Sequence, residues 1–217
     1  MKWKVSFNPK KTNDIIFSKK VLNNSPPVVF NTCIIDRVNV HKHLGLFLTS
    51  SLDWNVQVNE ICLKANRKLA VLRSVKILSR QTLDLLYKLT VRSVLDYALP
   101  VYYKSLKQTE LSRLENIQYR AAKIVTGALH FTNREKLNNE LGWESILERG
   151  NFLSVNIFHK IHLYETRPLI RKCMPKVNLQ NNLNLRSKHG YVPSPYKWDK
   201  FNSPFFPKCY EIMEPIT

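Results

Sequence analysis

The spacing of apolar positions changes once along the chain. Residues 3–7 (Trp-Lys-Val-Ser-Phe) and 14–17 (Asp-Ile-Ile-Phe) are short runs of β-forming residues, joined by a turn that starts at Asn8-Pro9. A second strand pair is expected at 28–35 and 43–48, with Gly45 inside the latter marking a bulge or a close backbone approach. From residue 53 the period lengthens to near 3.6. Asp53 is placed to cap a helix in which Ile61, Ala65, Leu69, Leu72 and Val75 recur at helical spacing, with Lys64, Arg67 and Lys68 along one flank. Ser79 caps the next, which carries Leu83, Leu86, Tyr87, Thr90, Val91, Val94, Leu95 and Ala98 on one face and ends before Pro100.

A third helix starts near Thr109, with Leu111, Leu114, Gln118, Ala121, Ala122 and Val125 on one stripe and Gly127 closing it. Thr132 and Glu135 have capping-box spacing for a short helix ending near Gly142, and a longer helix follows over 144–163. From Pro168 onward, prolines at 175, 193, 195, 204, 207 and 215 and an amide-rich stretch at 178–184 exclude long regular helix. Aromatics persist there, at Tyr191, Tyr196, Trp198, Phe201, Phe205, Phe206 and Tyr210, and imply packing onto something. The expected fold class is α+β, mostly α-helical. Its stretches are 1–52 with β-hairpins, a three-helix segment at 53–127, further helices at 128–167, and an irregular basic and aromatic tail at 168–217.

Composition supports folding: 44% of the 217 residues are hydrophobic, and five glycines against eleven prolines are unlike a flexible low-complexity chain. Charge adds more. Thirty-four Lys and Arg stand against sixteen Asp and Glu, a net +18, which favours polyanionic partners. The excess is segmental. Residues 1–20 hold six bases and one acid, 53–107 ten and four, and 160–217 ten and four, whereas 108–159 hold six of each. A uniform compositional drift fits this poorly.

Cys33, Cys62, Cys173 and Cys209 form no CxxC pair, so neither a zinc ribbon nor a disulfide framework is indicated. The opening residues lack the apolar run of a signal peptide, and no stretch approaches the roughly 20 apolar residues of a membrane span. A soluble intracellular protein without a membrane partner is expected, its compartment and oligomeric state left open.

Two-metal nucleotidyl transfer requires gathered carboxylates, commonly a neighbouring acid pair. Asp14, Asp36, Asp53, Asp84, Asp96 and Asp199 are each isolated, and Asp53 and Asp84 read simply as a helix cap and a helix surface residue. There is no GxSxG, HExxH or Gly-rich phosphate loop. His159 and His162, three apart on a helix, read better as surface or core residues than as metal ligands with Cys173 or His189. No metal or other cofactor is expected.

The order of several small motifs is more specific. Trp3 to Phe7 leads into Asn8-Pro9-Lys10-Lys11-Thr12; His41-Lys42-His43-Leu44-Gly45-Leu46 and Leu52-Asp53-Trp54-Asn55 follow. Leu86-Tyr87, Leu95-Asp96-Tyr97-Ala98, Leu114-Glu115-Asn116-Ile117-Gln118 with Arg120 and Ile124, and Leu141-Gly142-Trp143 with Arg149 continue the series. Together they resemble the segment after the catalytic aspartate pair in reverse transcriptases of LINE-type (non-LTR, jockey-like) retrotransposons. Arg186-Ser187-Lys188, Lys197 and Ser203-Pro204-Phe205-Phe206-Pro207 are similar to the segment after the thumb. Cys209-Tyr210-Glu211-Ile212 departs from it, standing where a Trp-Asn pair is expected.

The resemblance implies that 3–17 correspond to the last palm strand-turn-strand, 42–48 to the hairpin that grips the primer end, and 53–126 to a helical thumb. The catalytic aspartates, and the Mg²⁺ they hold, would belong to an upstream part, which would act with this chain if another chain supplied it. The chain would then be no enzyme alone but would bind nucleic acid, an RNA–DNA hybrid or DNA. It also implies that Lys10 or Lys11 lies near the incoming nucleotide, where positive charge assists the leaving pyrophosphate. Candidate nucleic-acid contacts are Lys10, Lys11, His43, Gly45, Lys64, Arg67, Lys68 and Arg73. Against these stand plainer readings: a solvated turn for the lysines, a β-bulge for Gly45, and a solvated helix flank for the α-helical cations. Two whole-chain alternatives are a helical interaction protein with an acidic protein partner and the product of a decayed element with no function.

Overall fold

The computed structural model describes residues 8–18, 25–30, 32–129 and 131–163, leaving aside the side chains of Lys10, His162 and Leu163. It is α+β and mostly helical, as expected. The chain divides into two compact units, Met1–Leu63 and Lys64–Thr217, and the division falls inside a helix. The tail expected at 168–217 and the strand expected at 3–7 lie outside the described residues.

In the first unit, Asn8 and Pro9 do open a turn. The backbone amide of Lys11 and the hydroxyl of Thr12 both donate to the Asn8 carbonyl, at 3.1 and 3.0 Å. The strand that follows is shorter than expected: β1 is Asn13–Asp14, and residues 15–17 are not in a strand. The run 28–35 is not one strand either. It splits into β2 (Val29–Phe30) and β3 (Cys33–Ile34), which pair with each other antiparallel. Thr32 between them has φ of 67°, a left-handed conformation that turns the chain back and withdraws this run from any pairing with 43–48. β4 (Asp36–Arg37) pairs in parallel with β1. The Arg37 guanidinium holds this corner, donating to Asp14 at 2.7 Å, to the Ser25 carbonyl at 3.1 Å and to the Pro26 carbonyl at 2.8 Å.

β5 (Val40–His43) and β6 (Leu46–Thr49) form the longest antiparallel pair, His43 opposite Leu46. Leu44 and Gly45 make a two-residue loop with φ of 47° and 82°. Two positive φ values are the mark of a type I′ hairpin turn. Gly45 is therefore a turn residue and not a bulge within a strand. Helix α1 (Asn55–Ser74) begins where Asp53 accepts the Asn55 amide at 3.2 Å. The buried Gln57 accepts the Phe47 amide at 2.9 Å, tying the first turn of α1 to β6. Val58, Ile61, Cys62, Ala65, Leu69 and Leu72 form the buried stripe of α1.

In the second unit Ser79 caps α2 (Arg80–Leu86), its hydroxyl accepting the Thr82 amide at 3.3 Å. The helix continues as a π-helical segment, Tyr87–Arg92, into α3 (Ser93–Asp96). Its buried side chains, Leu83, Tyr87, Val91 and Leu95, recur every four residues. On an α-helix such a stripe drifts by about 40° per step. The wider i→i+5 turn counters the drift and keeps all four in the core. Ala98, at φ 53°, breaks the helix before α4 (Leu99–Tyr102).

α5 (Gln108–Thr126) ends at Gly127, whose φ of 68° supplies the left-handed cap. α6 (Arg134–Leu141) is capped by Asn133 and not by Thr132: the Asn133 side chain accepts the Glu135 amide at 2.7 Å. α7 (Ile146–Leu163) has a capping box that the spacing of Thr132 and Glu135 had suggested for its neighbour. The Ser145 hydroxyl accepts the Glu148 amide at 3.2 Å, and the Glu148 carboxylate accepts the Ser145 amide at 2.8 Å. Bonds from the Ser145 hydroxyl and amide hold the Glu148 carboxyl below its usual range.

A polar network joins these helices through the core. Gln118 is fully buried on α5; its amide donates to the Glu144 carbonyl at 2.9 Å, and its oxygen accepts the Tyr87 hydroxyl at 3.2 Å. Arg92 donates to the same oxygen and, at 3.0 Å, to Asp96. Asp96 also takes Arg149 of α7 at 2.9 Å. Tyr87 stacks on Trp143, ring centroids 3.8 Å apart, and burial pushes its phenol up to about 12, so it stays a neutral donor. Trp143 donates to Asp84 at 2.7 Å, so Asp84 is a packing partner and not merely a helix surface residue.

Glu115 is buried on α5 and accepts the Ile146 amide at 2.7 Å, capping α7 from the side. Its second oxygen has no hydrogen-bond partner among the described residues. Burial raises its pKa; the Ile146 amide, Arg134 and Arg92 oppose this, and Glu148 adds to it. A carboxyl that is raised in the fold binds its proton more tightly there than in the unfolded chain. Its contribution is therefore most favourable below the unfolded value and is lost as pH rises through the folded one. Glu115→Gln keeps the acceptor and removes the charge. The melting temperature of this variant relative to the parent should climb as pH rises from 4 to 8, and a flat difference would contradict the assignment.

Candidate nucleic-acid interface

The proposed contact residues fall into three places. Lys10 and Lys11 belong to the turn Pro9–Lys11, where Lys11 is exposed; the side chain of Lys10 is outside the described set. His43 and Gly45 lie at the end of the β5–β6 hairpin, and Lys64, Arg67, Lys68 and Arg73 are on α1.

All four α1 cations are exposed. At about 100° per residue, Lys64, Arg67 and Lys68 fall within roughly 100° of arc along one flank of the buried stripe. Arg73, nine residues beyond Lys64, is turned about 180° from it. It shares a flank with Asn66, which accepts Arg120 of α5 at 3.0 Å. The structure thus brings three of the four α1 residues into one strip and separates the fourth.

Ion pairing neutralises some of the protein's cations and leaves others, this strip among them, without an acid partner. Arg37, Arg80, Lys88, Arg92 and Arg149 each meet a carboxylate within 4 Å. Among the described residues Lys64, Arg67 and Lys68 meet none, and helix-neighbour Glu60 does not reach Lys64. Charge that folding neutralises is unavailable to a ligand; the α1 strip is available in full.

At the hairpin, Leu44 is 79% exposed, although a leucine in the left-handed region is strained. His41 and His43 share a face of β5, their rings 6.3 Å apart, while Lys42 reaches the Phe47 ring at 5.3 Å from the opposite face. Replacing Leu44 by asparagine, which tolerates positive φ, should stabilise the chain by about 1 kcal/mol. A rise of roughly 2–4 °C in thermal unfolding would register it; a fall would mean that the leucine side chain contributes more by packing than its backbone costs.

No group of His, Cys, Asp and Glu among the described residues is arranged to hold a metal ion. Among the same residues no helix is long and apolar enough to cross a membrane.

No protein-family model and no solved structure matches the chain. The chain is similar to a Drosophila melanogaster protein, the probable RNA-directed DNA polymerase from transposon X-element, to which it is 23% identical over 171 residues. The match takes in 76% of this chain but only 18% of that relative's length. It therefore relates these helices and hairpins to a part of such a polymerase.

Proposed function

We propose that this sequence is the carboxy-terminal portion of a LINE-type, jockey-like reverse transcriptase: the end of the palm, a thumb and the segment after it. Its capacity as an isolated chain is to bind the backbone of a primer-template duplex, without polymerising. The observation that carries this is the exposed basic strip of Lys64, Arg67 and Lys68, which meets no carboxylate among the described residues and flanks the buried stripe of α1. Duplex phosphates are the complementary partner, because each neutralised phosphate releases a counterion. The strained, exposed Leu44 beside Gly45 supports a second contact at the hairpin tip, since such strain persists where function uses it. Lys10 and Lys11 act near the nucleotide only in the presence of the palm's carboxylates and their Mg²⁺, which this chain's isolated aspartates do not supply.

Fluorescence anisotropy with a labelled RNA–DNA hybrid tests the reading. Affinity should fall steeply and log-linearly with salt, and primer extension with Mg²⁺ should give no product. Nucleotide incorporation by the purified chain would overturn the non-catalytic part, and salt-insensitive binding the electrostatic part.

A further inference from the structure

The turn between α5 and α6 carries a second cluster, away from the α1 strip in chemistry as well as in sequence. Phe131 is 96% exposed and Leu129 is 82% exposed. Two large apolar side chains held this far into water are informative, because burial would stabilise each by about 1.5–3 kcal/mol. The amide and the hydroxyl of Thr132 both donate to the Leu129 carbonyl, at 3.2 and 2.9 Å. The Tyr119 hydroxyl donates to the Thr132 carbonyl at 2.8 Å.

The Tyr119 ring also positions two cations. Lys123 Nζ stands 4.4 Å from its centroid and the Arg134 guanidinium 5.6 Å. Arg134 is further fixed by a 2.6 Å bond to Asn116. Neither Lys123 nor Arg134 meets a carboxylate within 4 Å among the described residues. Residues 119–136 hold four Lys and Arg against the single acid Glu135, inside a stretch that is neutral as a whole.

We propose that this turn binds single-stranded nucleic acid, with Phe131 stacking on an unpaired base and Lys123 and Arg134 neutralising flanking phosphates. A phenyl ring has no hydrogen-bonding group with which to read a groove edge, and the faces of paired bases are already covered by their neighbours. An unpaired base offers its face. The unneutralised cations at the rim favour a polyanion over an apolar protein partner. The inference shares with the proposed function only the class of ligand, and it uses different residues.

The full 217-residue chain, titrated into a labelled oligothymidylate and separately into a blunt RNA–DNA hybrid, tests it. Phe131→Ala should weaken single-strand binding by roughly tenfold while leaving hybrid affinity within twofold. Phe131→Trp should restore single-strand affinity, and the fluorescence of the new indole should be quenched on binding. Equal losses on both ligands, an unchanged single-strand affinity in Phe131→Ala, or loss of self-association in that variant as its only effect would each overturn the site. Loss of hybrid binding on charge reversal of the α1 strip, alongside an inert Phe131, would sink this inference and leave the proposed function standing.

Discussion

Reversing the charge at Lys64, Arg67 and Lys68 together should weaken RNA–DNA hybrid binding by on the order of a hundredfold at low salt and reduce the salt slope by about 3. Each residue is exposed on the same arc of α1 and meets no acid among the described residues, so each can displace one counterion. Arg73→Glu supplies the internal control. Its position about 180° around the helix predicts a change of less than about threefold and a slope lowered by less than 1. None of the four side chains contributes to the core, so circular dichroism and thermal unfolding should stay at the parent values. An Arg73 effect as large as that of the triple variant would remove the strip as the binding face and leave only diffuse net charge. Hybrid binding intact in the triple variant, with an acidic protein recovered instead, would favour the interaction-protein alternative.

The largest stability effect is expected at Arg92. Its side chain is nearly buried, and it meets Asp96, Gln118 and the Glu144 carbonyl, so it links the α2–α3 helix to α5 and to the start of α7. Truncation to alanine leaves polar groups in the core without their charged donor, a change that typically costs about 3–5 kcal/mol. Each partner here keeps one other bond: Asp96 to Arg149, Gln118 to Tyr87, and the Glu144 carbonyl to Gln118. The expected cost is therefore at the lower end, about 3 kcal/mol, or a fall of roughly 6–12 °C in the unfolding midpoint. Arg92→Lys restores charge but not the planar fork and should recover less than half of it. Combined with Gln118→Leu in a double-mutant cycle, Arg92→Ala should show a coupling of about 1 kcal/mol or more. A loss under about 1 kcal/mol in Arg92→Ala would mean that water replaces the guanidinium and that packing, not the network, orients these helices.

Helices were legible because their cause is local. Leu83, Tyr87, Val91 and Leu95 repeat on one face whatever they meet, and Ser79, Gly127 and Gly142 end or begin helices through bonds to residues within one turn. The strip of Lys64, Arg67 and Lys68 along one flank of α1 was legible for the same reason. Short strands were not. Whether 28–35 pairs with 43–48 or with itself depends on one left-handed residue, Thr32, and apolar runs of this length do not encode their partner. Gly45 read as a bulge or a close backbone approach because the pattern places it among apolar residues; the turn is visible only once Leu44 joins it at positive φ. Asp84 read as a surface residue because its partner Trp143 is 59 positions away.

By itself, then, the sequence determined a mostly helical chain with an early strand region, the helix faces, the caps at Ser79, Gly127 and Gly142, and a basic balance concentrated in segments, since all of these follow from neighbours within a few residues or from composition. Tertiary structure alone decided which cations the fold neutralises and which it leaves exposed, that Arg92, Gln118 and Glu115 are core groups, that Phe131 is exposed, and that Lys123 and Arg134 are held over the Tyr119 ring. Those outcomes depend on burial and on partners distant in sequence, and local pattern carries no information about either.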